Sequence, residues 1–567
     1  MSQRTVDRRG ADLFADEGRD GFLMRAFMRG AGFSSEHVRR RPVIGICTSW
    51  SELNPCNADL RRLSEAVKRG VLAAGGLPLE FPTISLAEPF VRPTTLYLRN
   101  LMAMDVEEMI SASPIDAVVL LGGCDKTVPA QLMGSISAGK PAIMLTAGPR
   151  PTARRQGRPL TIDDIWPLAD QRRQGRLDDD EWADLEARLN CGVGTCNVLG
   201  TAITMAMVAE TLGMALPGSS LPPSGGAQRA ALAEATGARA VELAGEGVVP
   251  ADHVTPETLE NAFRLVCAVS GSTNAVIHLE ALAGRVGRRL GVEAMREWSA
   301  TTPVLADVRP AGRHLLEDLQ DAGGVPAVLA ELAPLVYLGA RSGTGRPWAE
   351  VTRTVSRSPG PALRTLDDPV FPAGGLALLR GSLAPRGAVL KRSAAHPALW
   401  RHRGRAVVFD GLADLNARID DPALDVDRDS VLVLRGVGPV GGPGMPEVGE
   451  LPIPRKLLDQ GVHDMVRISD ARMSGTGGGT VVLHVAPEAA AGGPLGLVRD
   501  GDLIELDAEQ GRLDLLVDAA ELAARAPATP PEHPARGYAA LFRRHVLQSD
   551  EGCDFDFLRA AAESGTR

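Results

Sequence analysis

The sequence predicts an α/β protein in two parts, a large N-terminal domain on a parallel sheet and a smaller, β-barrel-like C-terminal domain. Three observations point there. Over the first 150 residues, apolar β-rich runs alternate with stretches of helical periodicity. The segment SRSPGPALRTLDDPVFPAGG, ending at Gly375, has the proline and glycine density of an interdomain connection. Beyond it, short strands and turns replace long helices. The expected domains are 1–370 and 371–567.

In chain order, the first part offers strands at 42–50, 77–86, 116–123 and 140–148, with helical patterns at 58–74, 95–110 and 129–137. Such βαβ alternation implies parallel strands covered on both faces. Residues 150–190 are polar and charged and read as a surface excursion with a helix at 178–189. Apolar helical patterns run from 198 to about 339, broken by PGSSLPPSGG at 217–226. In the second part, GAVLKRSA, RAVVFDG, DSVLVLRG and DGDLIELDAEQGRLDLLV read as strands and turns. The tail after about residue 526 reads as helical and peripheral.

Composition narrows the function classes. With 44% hydrophobic and 23% charged residues over 567 positions, the chain is an ordinary globular protein and not a disordered one. Its 70 acidic against 61 basic side chains, net −9, argue against nucleic-acid binding driven by charge. The charged N-terminus lacks the apolar core of a secretory signal. The longest uncharged run, 190–209, would just span a bilayer but is interspersed with Asn, Thr and Gly, so a buried loop and helix is expected and no membrane partner. Seven cysteines are too few for a disulfide scaffold and fit a reducing, cytoplasmic setting. Lysine occurs only five times, at positions 68, 126, 140, 391 and 456, so a retained lysine can mark a need for a primary amine.

In open parallel sheets, ligands bind just past the carboxyl ends of the strands. The first three strand ends deliver Cys56, then Glu88, then Cys124, Asp125 and Lys126 together. Cysteine is a soft ligand and aspartate a hard one, so adjacent soft and hard donors could serve two different metals. Lys126 could take up carbon dioxide as a carbamate, a hard oxygen ligand, or simply pair with Asp125. Cys191 and Cys196 form a C-x4-C pair; a zinc site would need a second pair, which Cys47, Cys267 and Cys553 do not supply locally. In the second part, VGPVGGPGMPE ends in Glu447 and SDARMSGTGGGT centres on Ser474. Glycine-rich loops are most often tight turns but can also aim backbone amides at an anion. No G-x-S-x-G elbow surrounds Ser474, so a hydrolase triad is unsupported.

Taken together, SELNPCN, RNLMAMDVEEMI, LLGGCDKTVPAQ, GTCNVLGTAITM, SGSTNAVIHLEALAGR, GAVLKRSAA, GGPGMPE, ISDARMSGTGGGTVVLHVAPEA and LVRDGDLIELD resemble the dihydroxy-acid and 6-phosphogluconate dehydratase family over nearly the whole chain. The resemblance implies an iron–sulfur cluster, [2Fe–2S] in this branch, on Cys56, Cys124 and Cys196. It implies magnesium held by Glu88, Asp125, a carbamylated Lys126 and Glu447, with Ser474 as catalytic base, in a homodimer or homotetramer. The implied reaction removes the C2 proton and the C3 hydroxyl of a 2,3-dihydroxy acid, giving a 2-keto-3-deoxy acid. ISLAEPFVRPTTLYLRNL is similar to the sugar-acid (aldonate) branch, so a small polyhydroxy acid is the expected substrate. The alternatives are a branched-chain dihydroxy-acid dehydratase and a non-catalytic paralogue. CNVLGTAITM and the SGSTN at Ser270 depart from the family's commoner CMTMGTASTM and GGSTN, yet remove none of these residues.

Overall fold

A computed structural model describes residues 9–355, 360–526 and 534–561. Its N-terminal sheet is built from β1 (Val43–Thr48), β2 (Leu77–Pro82), β3 (Ala117–Gly122) and β4 (Ala142–Thr146), all parallel, in the order β2-β1-β3-β4. β1, β3 and β4 are buried along their whole length, which is why they read as unbroken apolar runs. β2 is the edge strand and carries Pro78 and Pro82, which an interior strand would not tolerate.

The crossovers are α1 (Leu60–Ala73), α2 (Thr95–Ala112) and α3 (Thr127–Ala138). Further on come α4 (Asp179–Leu189), α5 (Thr201–Thr211), α6 (Ala227–Glu246), α7 (Pro256–Ala268) and α8 (Asn274–Gly284). Strand alternation sorts the core. Ile44, Ile46, Val119 and Leu121 pack with α1 and α6 on one face, whereas Val43, Cys47, Val118 and Leu120 pack with α2 and α3 on the other. α1 and α6 touch backbone to backbone: a Cβ on Gly70 would lie 1.8 Å from the Glu234 carbonyl oxygen, and one on Gly237 2.2 Å from that of Val67. Gly70→Ala should therefore lower the unfolding free energy by about 1–3 kcal/mol, read as an earlier denaturant midpoint, despite alanine's better helix propensity.

The C-terminal sheet has eight strands, β5 (Ala377–Leu379), β6 (Gly387–Leu390), β7 (Arg401–Asp410), β8 (Val431–Arg435), β9 (Arg467–Ser469), β10 (Val481–Ala486), β11 (Leu503–Asp507) and β12 (Arg512–Leu515), in the order β12-β11-β7-β8-β9-β10-β6-β5. The four central strands are parallel and the flanking ones antiparallel. The edges nearly meet: Arg380, just past β5, bridges Arg512, its amide donating to the Gly511 carbonyl and its own carbonyl accepting from Leu513, each at 2.9 Å. The barrel-like reading therefore holds, with an interior of Leu379, Leu390, Val408, Val433, Ile468 and Ile504. The parallel centre is not legible in the sequence, because β9 within it is only three residues long.

Three expectations change in detail. Of the proline-rich segment, 356–359 lie outside the described residues; from 360 onward it is strapped to the first half, with Leu363 bridging Ala306 and Phe371 bridging Val304. The 150–190 excursion forms a hairpin and two helices over its own small core of Ala153, Leu160, Leu177 and Leu185. It reaches the second half, where Trp166 Nε1 donates to Thr476 Oγ1 at 3.1 Å and Arg173 pairs with Asp420 at 2.8 Å. The tail contains α9 (Gly537–His545), as expected, but it is not peripheral. Past α9, Cys553, Asp554 and Phe555 are buried: Arg99 and Asn100 of α2 donate to the Cys553 carbonyl, and Arg285 forms a salt bridge with Asp554 at 2.7 Å. Charged residues in the tail's sequence conceal this, since they pair with buried arginines instead of facing solvent. No helix among the described residues is long and apolar enough to cross a membrane, and the 190–209 run forms a loop followed by α5.

Candidate active site

The connections out of β1 and β3 diverge to opposite sides of the sheet, so the crevice between their carboxyl ends is the topological switch point. β1 leads to Cys56 in a short 3-10 turn, and β3 leads through Gly123 to Cys124, Asp125 and Lys126, where α3 begins. The two loops lie against each other. A Cβ on Gly123 would fall 2.5 Å from Asn57 Oδ1 and 2.9 Å from the Cys56 carbonyl oxygen, and the Cys124 amide donates to Asn57 Oδ1 at 3.3 Å. The Cys56 and Cys124 thiols influence each other: Cys124 lowers the Cys56 pKa, while Cys56 and burial push that of Cys124 well above the usual thiol value. Burial pushes the Cys196 thiol up to about 12, and this group feels the charges of Cys56, Asp125 and Glu447. Cys191 is exposed, with Sγ 3.2 Å from the Pro151 carbonyl oxygen. Of the C-x4-C pair, Cys196 is the less exposed and feels the charge of Cys56.

Beside the thiols sits a group of carboxylates. Glu88, Asp125 and Glu447 each place an oxygen within 4.8 Å of the others, and Lys126 Nζ lies among them, 3.2, 2.5 and 2.8 Å from the respective oxygens. Lys126 is fully buried. Burial and the Arg472 charge oppose its ionisation, but the three carboxylates outweigh both and raise its pKa. Glu88 is held down to about 2: burial raises it, but Lys126, Arg472 and the hydroxyls of Thr94 and Thr95 more than compensate. Those threonines open α2, and the Thr95 amide also donates to Glu88, at 3.2 Å. Burial raises Glu447. Its loop, which follows β8, is pinned by two buried carboxylates. Asp470 accepts from the amides of Gly436 and Val437, and Glu488 from those of Val440 and Gly441. Burial and the nearby Asp470 push Glu488 up to about 7.

Two residues with no sequence-level role join the halves here. Arg472 is fully buried and donates to Glu447 Oε1 at 2.7 Å, Thr94 Oγ1 at 2.9 Å and the Met445 carbonyl at 2.8 Å. Asn274, the first residue of α8, donates through Nδ2 to Glu447 Oε1 and Thr201 Oγ1, both at 3.0 Å, and to the Met473 carbonyl at 3.2 Å. Both lie in conspicuous motifs, SGSTN and SDARMSG, yet Arg472 is one of many arginines and residue type alone could not single it out. Ser474 follows Met473 and is half-buried. Its Oγ is 2.8 Å from Thr476 Oγ1, and Gly475 abuts the start of α5, where a Cβ would lie 2.5 Å from the Thr201 nitrogen.

The arrangement therefore gathers three carboxylates beside the loops that carry Cys56, Cys124 and Cys196, with α3, α5 and α8 all beginning nearby and contributing positive potential. The thiols of Cys56, Cys124 and Cys196 are soft donors of the kind an iron–sulfur cluster takes. Three carboxylates facing two cationic side chains in a buried site suit a hard divalent cation, so both donor sets fit the groups expected from sequence.

The sequence profiles of the dihydroxy-acid/6-phosphogluconate dehydratase N-terminal and C-terminal regions match residues 41–351 and 361–553. L-arabonate dehydratase of Azospirillum brasilense is 48% identical, with 98% of each chain covered. 6-Deoxy-6-sulfo-D-gluconate dehydratase of Pseudomonas putida is 44% identical, covering 98% of this chain and 97% of that one. Dihydroxy-acid dehydratase of Ignicoccus hospitalis is 39% identical, covering 93% and 96%.

Proposed function

Since this chain belongs to the dihydroxy-acid/6-phosphogluconate dehydratase family and is a hydro-lyase, we propose that it dehydrates a sugar acid, an aldonate, to the 2-keto-3-deoxy acid. The observation that carries the substrate class is full-length identity of 44–48% to dehydratases named for sugar acids, against 39% to one named for dihydroxy acids.

In this reading Glu88, Asp125, Glu447 and a carbamylated Lys126 hold magnesium, and Cys56, Cys124 and Cys196 hold a [2Fe–2S] cluster. When bound, the two groups supply Lewis acidity toward the acid's oxygens at C1 and C2 and toward its C3 hydroxyl. Lys126 as a free ammonium offsets only part of the charge of the three carboxylates; as a carbamate it reverses its own charge, and the pocket calls more strongly for a cation. Arg472 and Asn274 fix the Glu447 carboxylate. Asn274 also holds the carbonyl of Met473, and so the approach of Ser474, whose Oγ takes the C2 proton. Loss of that proton and of the C3 hydroxyl leaves an enol, which tautomerises to the 2-keto acid. Trp166 and Thr476 orient the serine hydroxyl from the side of the excursion.

An anaerobic assay of 2-keto acid formation over five- and six-carbon aldonates and 2,3-dihydroxyisovalerate tests the reading. Turnover of at least one aldonate, with kcat/KM above that for the branched-chain acid, is expected. Turnover of 2,3-dihydroxyisovalerate alone would overturn the sugar-acid assignment.

A further inference from the structure

β1, β2 and β3 each deliver site residues at the switch-point rim, and the fourth strand ends there too. Four residues past β4 stands Arg150. Its backbone amide and its Nε both donate to the Thr195 carbonyl, at 2.9 and 3.0 Å, which ties it to the residue preceding Cys196. The Pro149–Thr195 bridge runs the two segments side by side. Gly194 completes the junction: its φ is +123°, its amide donates to the carbonyl of Pro55, next to Cys56, and a Cβ there would lie 2.8 Å from the Arg150 nitrogen. The guanidinium is thus anchored on the segment that carries Cys196, which Gly194 joins to the segment that carries Cys56. A further contact to Asn190 Oδ1 fixes its outer end.

We propose that Arg150 is the cationic partner of the three-cysteine set, its guanidinium held beside Cys196 and lowering the negative charge of the cluster those cysteines hold. The inference rests on the iron–sulfur reading above. Three thiolates around two ferric ions and two sulfides leave a net negative unit in a poorly hydrated site. Hydrogen bonds to the sulfurs and nearby positive charge are among the factors that set the potential of such a unit. Arginine suits the position because its planar fork can serve a carbonyl, an amide oxygen and a sulfur at once, which lysine cannot.

The test is a potentiometric titration of anaerobically reconstituted Arg150→Gln and Arg150→Lys against wild type, followed by visible and EPR spectra, with iron and labile sulfide counted per chain. Arg150→Gln should retain its iron and show a lower midpoint potential, with Arg150→Lys between it and wild type. An unchanged potential in an iron-replete Arg150→Gln would overturn the inference, as would a change confined to the KM for the acid, which would make Arg150 a substrate contact. If Arg150→Gln folds but loses iron, Arg150→Lys decides: retained iron supports the charge assignment, and equal loss overturns it. Wild type without iron or labile sulfide would instead sink the cluster reading on which the inference stands.

Discussion

Ser474→Ala is expected to lower kcat by on the order of 10^2–10^4-fold, the usual worth of a positioned general base, while iron content and visible spectrum stay at wild-type values. The reason lies in what surrounds the hydroxyl. Ser474 Oγ bonds Thr476 Oγ1 at 2.8 Å and accepts the Thr476 amide at 3.3 Å, and neither partner is a base. A serine in such company takes a proton only if its alkoxide is stabilised electrostatically, as the start of α5, against which Gly475 packs, and the cation of the proposed reading would do. Alanine removes the proton acceptor and leaves that field intact. The serine lies on the loop between β9 and β10, whereas the thiols sit on the N-terminal half, so cluster binding should not change. Wild-type turnover in Ser474→Ala, measured as 2-keto acid release, would remove the serine from the mechanism.

Lys126→Arg is expected to abolish magnesium-dependent turnover and to bring Mg2+ binding, measured by calorimetry on the iron-loaded protein, below detection. The substitution keeps the positive charge, so a purely structural salt bridge would tolerate it better than a ligand would. Arginine does not form a carbamate under physiological conditions, and its permanent charge would stay among Glu88, Asp125 and Glu447 and exclude a second cation. Circular dichroism and iron content would show whether the variant folds, since a larger group must enter a fully buried slot. A folded Lys126→Arg that still binds and uses magnesium would reject the carbamate.

Much of this site could be read from the sequence because of where parallel strands end. Four apolar runs announced the sheet, and the rule that ligands gather beyond the strand ends placed Cys56, Glu88, Cys124, Asp125 and Lys126 on one rim before any coordinates. Glu447 and Ser474 were legible only through their motifs, because nothing local says that a loop after β8 folds back onto residues more than three hundred positions earlier. Arg472 and Asn274 were hidden for a further reason: their role is to bridge, and bridging is a property of the assembled halves. Arg150 lay past a strand end that had been identified, but arginine is so common in this chain that one more carried no signal. The buried C-terminal stretch was misread because Asp554 and its neighbours are charged, and their arginine partners are remote in sequence.

That remoteness has a consequence for how the molecule is made. Arg99, fully buried, donates to the carbonyls of Gly552 and Cys553, which are 453 and 454 residues later. At roughly 5–20 residues per second, the ribosome takes on the order of half a minute to a minute and a half to supply those acceptors. Through that interval the first half of the nascent chain exists with Arg99 and Arg285 lacking their distal partners and with Lys126 lacking Glu447. The carboxylate pocket is thus completed only once Glu447 has been made, so the metal of the proposed reading would enter after the first half has been synthesised.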